Sequence, residues 1–315
     1  MIPELFPRDR YYCVLDEQPD FLVPPGALEQ YASLRGAGSL MVNPRCWLGW
    51  HGPLPAALAP SAAAHDNLFD FTWTIWVDDP DRGTLWPYWL GPSYAALLEN
   101  WAPGQPYDGN LPAEVEERLL AANILTVPDA AEWRRQAWST AVDQAAAQLD
   151  RGYLPLSGLL PPFQIGALRR YYRYHTRVGT FVLGDEQSPG RYVAYDEPTT
   201  TYVHQQLTRT VSDLIRRVVV PSYSYLALYQ GGATLDPHTD RDACEYTVSL
   251  CIDATPDPQT HGAWPLHLMT EDGQVSLVQG IGDALLFRGR YLTHWRDQLP
   301  MGYTSSSILL HYVDA

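Results

Sequence analysis

Lysine is missing from this chain of 315 residues, in which all 21 basic side chains are arginines. Mechanisms that need an ammonium side chain, such as a Schiff base, a lysine general base or a P-loop, are therefore excluded. Cysteine is scarce: the four residues are Cys13, Cys46, Cys244 and Cys251, and no two of them form a C-x-x-C pair. This scatter argues against a zinc ribbon or a disulfide framework and favours buried free thiols.

Long apolar runs are also missing. No stretch approaches the roughly 18 consecutive apolar residues of a membrane-spanning helix. The first residues lack the basic and apolar regions of a signal peptide. We therefore expect a soluble, cytoplasmic protein with no membrane partner. The formal net charge of −15 repels phosphate backbones, so we expect no nucleic acid as a partner and favour a small molecule or a peptide.

The composition is that of a folded chain with a change of character near residue 150. Hydrophobic residues make up 46% of the sequence, too many for a disordered protein, and the length allows one large or two ordinary domains. Residues 1–150 are predicted to form a mixed α/β region that is structural or presents the substrate. The segment 93–128 within it suggests a winged-helix-like module, although its helix carries three glutamates against a single arginine, which disfavours DNA binding.

Residues 151–315 are predicted to form the second domain, of α+β class. A short strand after Gly152 is followed by a turn at two prolines and by a helix, and apolar residues at helical spacing predict another helix over 204–219. From residue 222 onward the chain consists of short apolar strands separated by glycine, proline and aspartate. Such spacing is typical of a β-sandwich or barrel.

The most informative motif is His238-Thr239-Asp240, followed by His294 on the far side of a buried strand. On an extended segment, residues i and i+2 point to the same face, so His238 and Asp240 can bind one ion. Two histidines and one carboxylate form the facial triad of non-haem Fe(II) oxygenases, which leaves coordination positions open. We therefore predict that His238, Asp240 and His294 are metal ligands and catalytic residues.

The last 95 residues resemble the catalytic core of the Fe(II)/2-oxoglutarate dioxygenases, nearest to the prolyl-4-hydroxylase-like branch. Four segments carry the resemblance: Tyr229 with Gly231, Gly232 and Leu235; Pro237 to Asp240; Gly282 to Phe287; and His294 with Leu299, Pro300 and Gly302. The resemblance implies a double-stranded β-helix (jelly roll), with Fe(II), 2-oxoglutarate and dioxygen as cofactor and cosubstrates. It also implies hydroxylation of an unactivated carbon of an amino acid or peptide side chain, as in natural-product tailoring.

One departure from the family pattern concerns the cosubstrate. Where the family places a lysine or arginine after the distal histidine, this chain has Tyr303, Thr304, Ser305 and Ser306. A buried carboxylate needs a cationic partner, which only arginine can supply here. Arg296 is our first candidate, because it lies two residues from His294 on the same side of an extended backbone; Arg290 is the second. Tyr229, Tyr303 and Ser305 are predicted hydroxyl partners, and Arg241 suits the substrate or the surface better.

Two alternatives stay open at this point. One is a cupin-type metal enzyme that does not use 2-oxoglutarate, which the missing family cation favours. The other is a catalytically silent jelly-roll binding module that keeps the fold alone. The sequence identifies neither the substrate nor the oligomeric state.

Overall fold

The structure is a computed structural model that describes residues 9–15, 39–49, 73–128, 130–258 and 264–315. Its N-terminal part contains β1 (Cys13–Val14), β2 (Met41–Val42), β3 (Cys46–Leu48), β4 (Thr74–Asp79), β5 (Thr84–Trp89), α1 (Gly91–Leu97), α2 (Ala113–Ala121), β6 (Leu125–Thr126) and α3 (Ala130–Ala146). The chain continues with β7 (Tyr153–Leu156), α4 (Pro162–Arg177), β8 (Val182–Leu183), β9 (Arg191–Tyr195) and α5 (Pro198–Ile215). Strands then follow: β10 (Val219–Gln230), β11 (Leu235–His238), β12 (Tyr246–Thr255), β13 (Leu266–Thr270), β14 (Gly273–Leu277), β15 (Ala284–Phe287), β16 (His294–Arg296) and β17 (Thr304–Asp314).

Strands β10 to β17 divide between two sheets in the pattern of a jelly roll. The larger sheet has the order β7-β15-β12-β17-β10-β9-β8, and the smaller one has the order β11-β16-β13-β14. Successive strands thus pass from one sheet to the other, apart from the β13–β14 hairpin, and their pairings are antiparallel. This is the double Greek-key arrangement of a double-stranded β-helix. The predicted fold of the C-terminal region is therefore confirmed.

Helices α4 and α5 cover the outer face of the larger sheet. In α5 the buried side chains recur at helical spacing, as in Val203, Leu207 and Val211, and they share a core with Leu226, Leu250 and Leu310 of the sheet. The helix spans 198–215 rather than the predicted 204–219. It begins earlier because Pro198 occupies the first turn behind the capping residue Glu197, and it ends at Arg216, which has a positive φ of 56°. The opposite face of the sheet is left free to line a cavity.

The N-terminal part forms a small sheet of order β1-β5-β4-β3 and a separate β2–β6 ladder. The winged-helix-like module predicted for 93–128 is not confirmed. That segment contains α2 and most of α1, and its strand β6 pairs with the distant β2 instead of with a neighbouring strand. No helix in the described ranges is both long and apolar enough to cross a bilayer.

Contacts cross the predicted boundary at residue 150. The amide of Leu85 donates to Gln206 Oε1 at 2.6 Å, the hydroxyl of Tyr202 donates to the carbonyl of Leu85, and Trp76 belongs to the same buried cluster as Leu250. The N-terminal part thus packs on the helical side of the jelly roll. The division into two domains stays a prediction.

We expect Glu197→Ala to destabilise the fold. The buried carboxylate of Glu197 accepts hydrogen bonds from Tyr171 and Tyr172 at 2.7 and 2.8 Å and caps α5 at the amides of Thr199 and Thr200. Its removal leaves two buried phenols and a helix end without an acceptor, which costs about 2–4 kcal/mol. Urea denaturation followed by far-UV circular dichroism measures the loss. An unchanged unfolding midpoint would contradict this role, and the exposed Glu132→Ala variant is the matched control.

Candidate metal centre

The two predicted histidine ligands face each other across a pair of strands. His238 ends β11 and His294 begins β16, and the two are direct register partners in the antiparallel ladder. Their ring centroids lie 4.2 Å apart. Asp240 follows β11 by two residues, and its Oδ1 lies 3.9 Å from Nε2 of His238 and 3.6 Å from Nε2 of His294. The structure therefore brings the three side chains together at one point.

Backbone contacts determine which histidine nitrogen is free. Nδ1 of His238 lies 2.8 Å from the carbonyl of Asp236, and Nδ1 of His294 lies 3.0 Å from the carbonyl of Leu292. A carbonyl only accepts hydrogen bonds, so each Nδ1 carries the proton and each Nε2 offers a lone pair. Two lone pairs and a carboxylate oxygen converge on the same point, an arrangement that a cation stabilises. The residues present therefore fit a divalent metal held by three protein ligands on one side.

Three neighbours hold the carboxylate of Asp240 in this orientation. Thr247 donates its hydroxyl proton to Oδ2 at 2.8 Å and accepts a hydrogen bond from Nδ1 of His311 at 3.0 Å. Gly289 accepts from the amide of Asp240 at 2.9 Å, and a Cβ at Gly289 would lie 2.1 Å from Oδ2. Because Oδ2 is occupied in this way, Oδ1 alone is directed at the two histidines.

Burial favours the neutral form of His294 and of His311. Desolvation lowers the pKa of His294, opposed by the nearby charge of Asp240, and it lowers the pKa of His311 to about 4. A neutral imidazole is the form that binds a metal. Neutral His311 keeps one ring proton, on Nδ1, and donates it in the hydrogen bond to Thr247.

Asp240, Cys244 and His311 form a second group whose potential ligand atoms lie close together. Burial raises the pKa of the Cys244 thiol to about 11, and the thiol lies 3.0 Å from the hydroxyl of Tyr223. A protonated thiol is a poor ligand, and His311 already uses Nδ1 on Thr247. Within the described ranges no other such group is found. The first group is therefore the better metal site.

The candidate metal centre lies in a cavity of about 360 Å³ between the two sheets. Leu235, Leu266, Phe287 and Leu309 line it with apolar side chains. Two buried arginines also line it, Arg296 from β16 and Arg191 from β9. A metal in this cavity would have one face toward the protein ligands and the other toward the open space.

The predicted cosubstrate residues separate into three places. Arg296 and Tyr229 line the main cavity. Tyr303 and Ser305 line a smaller adjoining cavity that Arg296 also borders. Arg290 borders neither, and this corrects its candidacy: the turn before His294 directs its guanidinium outward, where it pairs at 3.1 Å with the exposed Asp242.

Arg296 is buried, and none of the acidic residues that the structure describes pairs with it. Its Nη1 donates to the carbonyl of Trp264 at 2.6 Å and its Nη2 to Oε1 of Gln279 at 2.9 Å, while its guanidinium lies 4.7 Å from the centre of the Trp264 ring. Burial lowers its pKa. Among the described residues no carboxylate lies within ion-pair distance of it. A buried cation with only neutral acceptors fits the carboxylate of a ligand.

Arg191 and Arg241 line the cavity, although the sequence analysis did not place either of them there. Arg191 was not singled out, because it lies upstream of the segments that carry the resemblance. It stacks between Tyr225 and Tyr229 and donates to Asp185. Alternation along an extended strand places Arg241 opposite Asp240, but β11 ends at His238, so the alternation does not apply and Arg241 lines the same cavity.

Comparison with known proteins returned matches among solved structures only, since no family model and no curated protein matches the chain. A Pseudomonas putida prolyl-4-hydroxylase is 17% identical, covering 55% of this chain and 99% of its own, with a TM-score of 0.45. A Trichoplax adhaerens prolyl hydroxylase in complex with a hypoxia inducible factor peptide fragment is 19% identical, with coverages of 58% and 93% and a TM-score of 0.49. The epimerase SnoN, in complex with Fe3+ and alpha ketoglutarate, is 14% identical, with coverages of 56% and 84% and a TM-score of 0.47.

The chain is thus similar to structures of Fe(II)/2-oxoglutarate oxygenases. The reactions named for these neighbours differ, since hydroxylases and an epimerase stand side by side. At such low identities and TM-scores the likeness carries no argument about chemistry. The site is assigned from the contacts described above.

The Asp240→Ala variant should lose the metal and keep the fold. Removal of the only carboxylate leaves two neutral nitrogens, which hold a hard divalent ion weakly. Anaerobic Fe(II) titration should show no stoichiometric binding, while the circular dichroism spectrum stays that of the parent protein. Asp242→Ala removes a carboxylate two residues away and should bind Fe(II) normally. Full metal binding or full turnover by Asp240→Ala would make the triad assignment wrong.

Thr247→Val should weaken metal binding without displacing a ligand. Valine keeps the shape of threonine but cannot donate to Oδ2 of Asp240, and loss of such an orienting contact typically costs 10- to 100-fold in metal affinity. Thr247→Ser retains the hydroxyl and should bind nearly as tightly as the parent. Equal Fe(II) affinities for the valine and serine variants would show that the hydroxyl does not orient the carboxylate.

Proposed function

We propose that this protein is an Fe(II)- and 2-oxoglutarate-dependent oxygenase that hydroxylates an unactivated carbon of an amino acid or peptide side chain. The observation that supports it best is the combination, in one cavity, of the His238, Asp240 and His294 cluster with the buried, acid-free guanidinium of Arg296. The cluster fits the iron, and Arg296 fits the distal carboxylate of 2-oxoglutarate. A cupin-type metal enzyme has no need of the second feature.

Arg296 has the hydrogen-bonding capacity for this role. A guanidinium carries five N–H groups, and the contacts with Trp264 and Gln279 use two of them. Tyr229 accepts a hydrogen bond from Nη1 of Arg191 at 2.7 Å, so its own hydroxyl proton is available to a carboxylate. Arg296 and Tyr229 together would supply a charge-assisted and a neutral hydrogen bond to one bound anion.

The remaining cavity residues orient the reactants and exclude water. When bound, Fe(II) with 2-oxoglutarate would supply the chemistry that activates dioxygen, which is the oxidant, and the protein would contribute geometry and environment. His238, Asp240 and His294 bind on one side only, so the other side faces the substrate. The apolar side chains of Leu235, Leu266 and Phe287 keep the inner wall dry, which strengthens the contact between Arg296 and a carboxylate.

Anaerobic titration of the purified protein tests the proposed function. Fe(II) together with 2-oxoglutarate should produce the visible charge-transfer band of the chelated cosubstrate, and oxygen should then release succinate. Iron binding without the band would support the metal enzyme that does not use 2-oxoglutarate. Absence of iron binding would support the silent binding module and overturn the proposal.

Arg296→Gln should weaken 2-oxoglutarate binding strongly. Loss of one partner of a buried charge pair costs about 2 kcal/mol or more, which is roughly thirtyfold in affinity. The matched control is Arg290→Gln, which removes an equivalent charge outside the cavity and should leave the affinity unchanged. The apparent dissociation constant of 2-oxoglutarate, taken from the charge-transfer band, measures both. An unchanged value in Arg296→Gln would remove this residue from the cosubstrate site.

A further inference from the structure

The charged side chains of the main cavity form three groups that differ in their partners. Asp240 and Arg296 lie in the interior and are assigned above to the metal and to the cosubstrate. Arg191 and Asp185 are paired with each other. Glu186 and Arg241 also line the cavity, and both are exposed.

Arg191 and Asp185 compensate each other's charge, and their contacts use four of the five N–H groups of Arg191 and both oxygens of Asp185. Asp185 accepts from Arg191 and from the hydroxyl of Tyr225 through Oδ2, and from the amides of Gln187 and Ser188 through Oδ1. Arg191 also donates to Tyr229 and to the side chain of Gln187. This network holds the turn that carries Glu186 against the cavity, so Glu186 is placed by a rigid support.

With Asp240 and Arg296 assigned to the metal and to the cosubstrate, Glu186 and Arg241 are the remaining charges of the cavity wall without a compensating partner among the described residues. Across the ranges that the structure describes, neither side chain forms an ion pair or a side-chain hydrogen bond. They are of opposite sign and border one cavity of about 360 Å³. A ligand with one positive and one negative group is therefore complementary in charge to this cavity wall.

The overall charge of the cavity points to the same kind of ligand. The charges of a divalent iron, of Asp240, of dianionic 2-oxoglutarate and of Arg296 cancel. The pair of Arg191 and Asp185 is also neutral. Glu186 and Arg241 add one charge of each sign, so the cavity favours a substrate without net charge but with two charged ends.

We call the exposed residues Glu186 and Arg241 the charged rim of the cavity. Three tyrosines connect this rim to the candidate metal centre. Tyr195 is exposed and lies 4.6 Å from Tyr225 and 6.1 Å from Tyr223, measured between ring centroids. Tyr223 in turn lies 4.5 Å from His311, which borders the metal centre through Thr247. Tyr195, Tyr223 and Tyr225 thus form a tyrosine wall. This wall offers an apolar surface to a hydrocarbon group that extends from the charged rim toward the iron.

We propose that the substrate of this site is a free amino acid, whose ammonium group is bound by Glu186 and whose carboxylate is bound by Arg241, with its side chain along the tyrosine wall. This inference rests on the proposed function and narrows it, because the backbone of an internal peptide residue carries neither charge. Glu186 and Arg241 are thus specificity-determining residues.

The test compares free amino acids with their capped derivatives. The protein loaded with Fe(II) and 2-oxoglutarate is offered each of the proteinogenic L-amino acids, its N-acetyl form and its amide, and succinate release is measured above the rate without substrate. Binding of the same compounds is measured under anaerobic conditions by calorimetry. We expect at least one free amino acid to stimulate turnover and both caps to weaken its binding by about fivefold or more.

Two variants test which side chain of the cavity binds the carboxylate of the amino acid and which binds its ammonium group. Arg241→Gln should bind the free amino acid and its amide equally, because the variant lacks the cation that distinguishes a carboxylate from an amide. Glu186→Gln should likewise cease to discriminate against the N-acetyl form. Arg288→Gln, an exposed arginine that stacks on Tyr291 and does not line the cavity, should keep both preferences.

Three results would overturn the inference. The first is substrate-free succinate release without stimulation by any free amino acid, which would leave the proposed function intact. The second is stimulation that the caps do not reduce or that the two variants do not alter. The third is the absence of both the charge-transfer band and substrate-free turnover, which would refute the proposed function and the inference with it.

Discussion

The convergence of two imidazole lone pairs on one carboxylate oxygen is the feature on which the account depends. It exists because β11 and β16 place His238 directly opposite His294, and because the two carbonyls behind the rings hold the Nδ1 protons. A shift of one residue in this register would turn one imidazole to the other face of the sheet. The jelly roll is what holds that register, since both strands are in the smaller sheet facing β12 and β17 across the cavity.

The residues around the cluster make the two ends of the cavity suited to opposite charges, a cation at one end and an anion at the other. At the metal end, Thr247, His311 and Gly289 leave a single oxygen of Asp240 directed inward. At the other end, Arg296 is buried beside neutral acceptors, which is costly unless an anion binds there. Apolar side chains, among them Leu235, Leu266 and Phe287, line the cavity between the two ends. A dianion that chelates the metal with one end and meets a guanidinium with the other satisfies both requirements.

Much of the fold and of the metal site follows from local sequence patterns. The strands after residue 222 are short, apolar and separated by turn residues, and they form the predicted jelly roll. The H-x-D motif and His294 meet because the residues between them build regular strands. Contacts that join distant segments have no such signal: Arg191 lies 38 residues before its partner Tyr229, and Thr247 reaches Asp240 and His311 only in the folded sheet. Strand alternation placed Arg241 on the face opposite Asp240, but Arg241 follows the end of β11 and lines the cavity, whereas Arg290 lies in the turn before His294 and pairs with the exposed Asp242.

The location of bound iron tests the central claim most directly. Crystals grown without oxygen in the presence of Fe(II) and 2-oxoglutarate, with anomalous diffraction recorded at the iron edge, give that location without reference to activity. We predict one peak within coordination distance of Nε2 of His238, Nε2 of His294 and Oδ1 of Asp240, with cosubstrate density that extends to Arg296. A peak at Cys244 and His311, or cosubstrate directed at another arginine, would contradict this prediction.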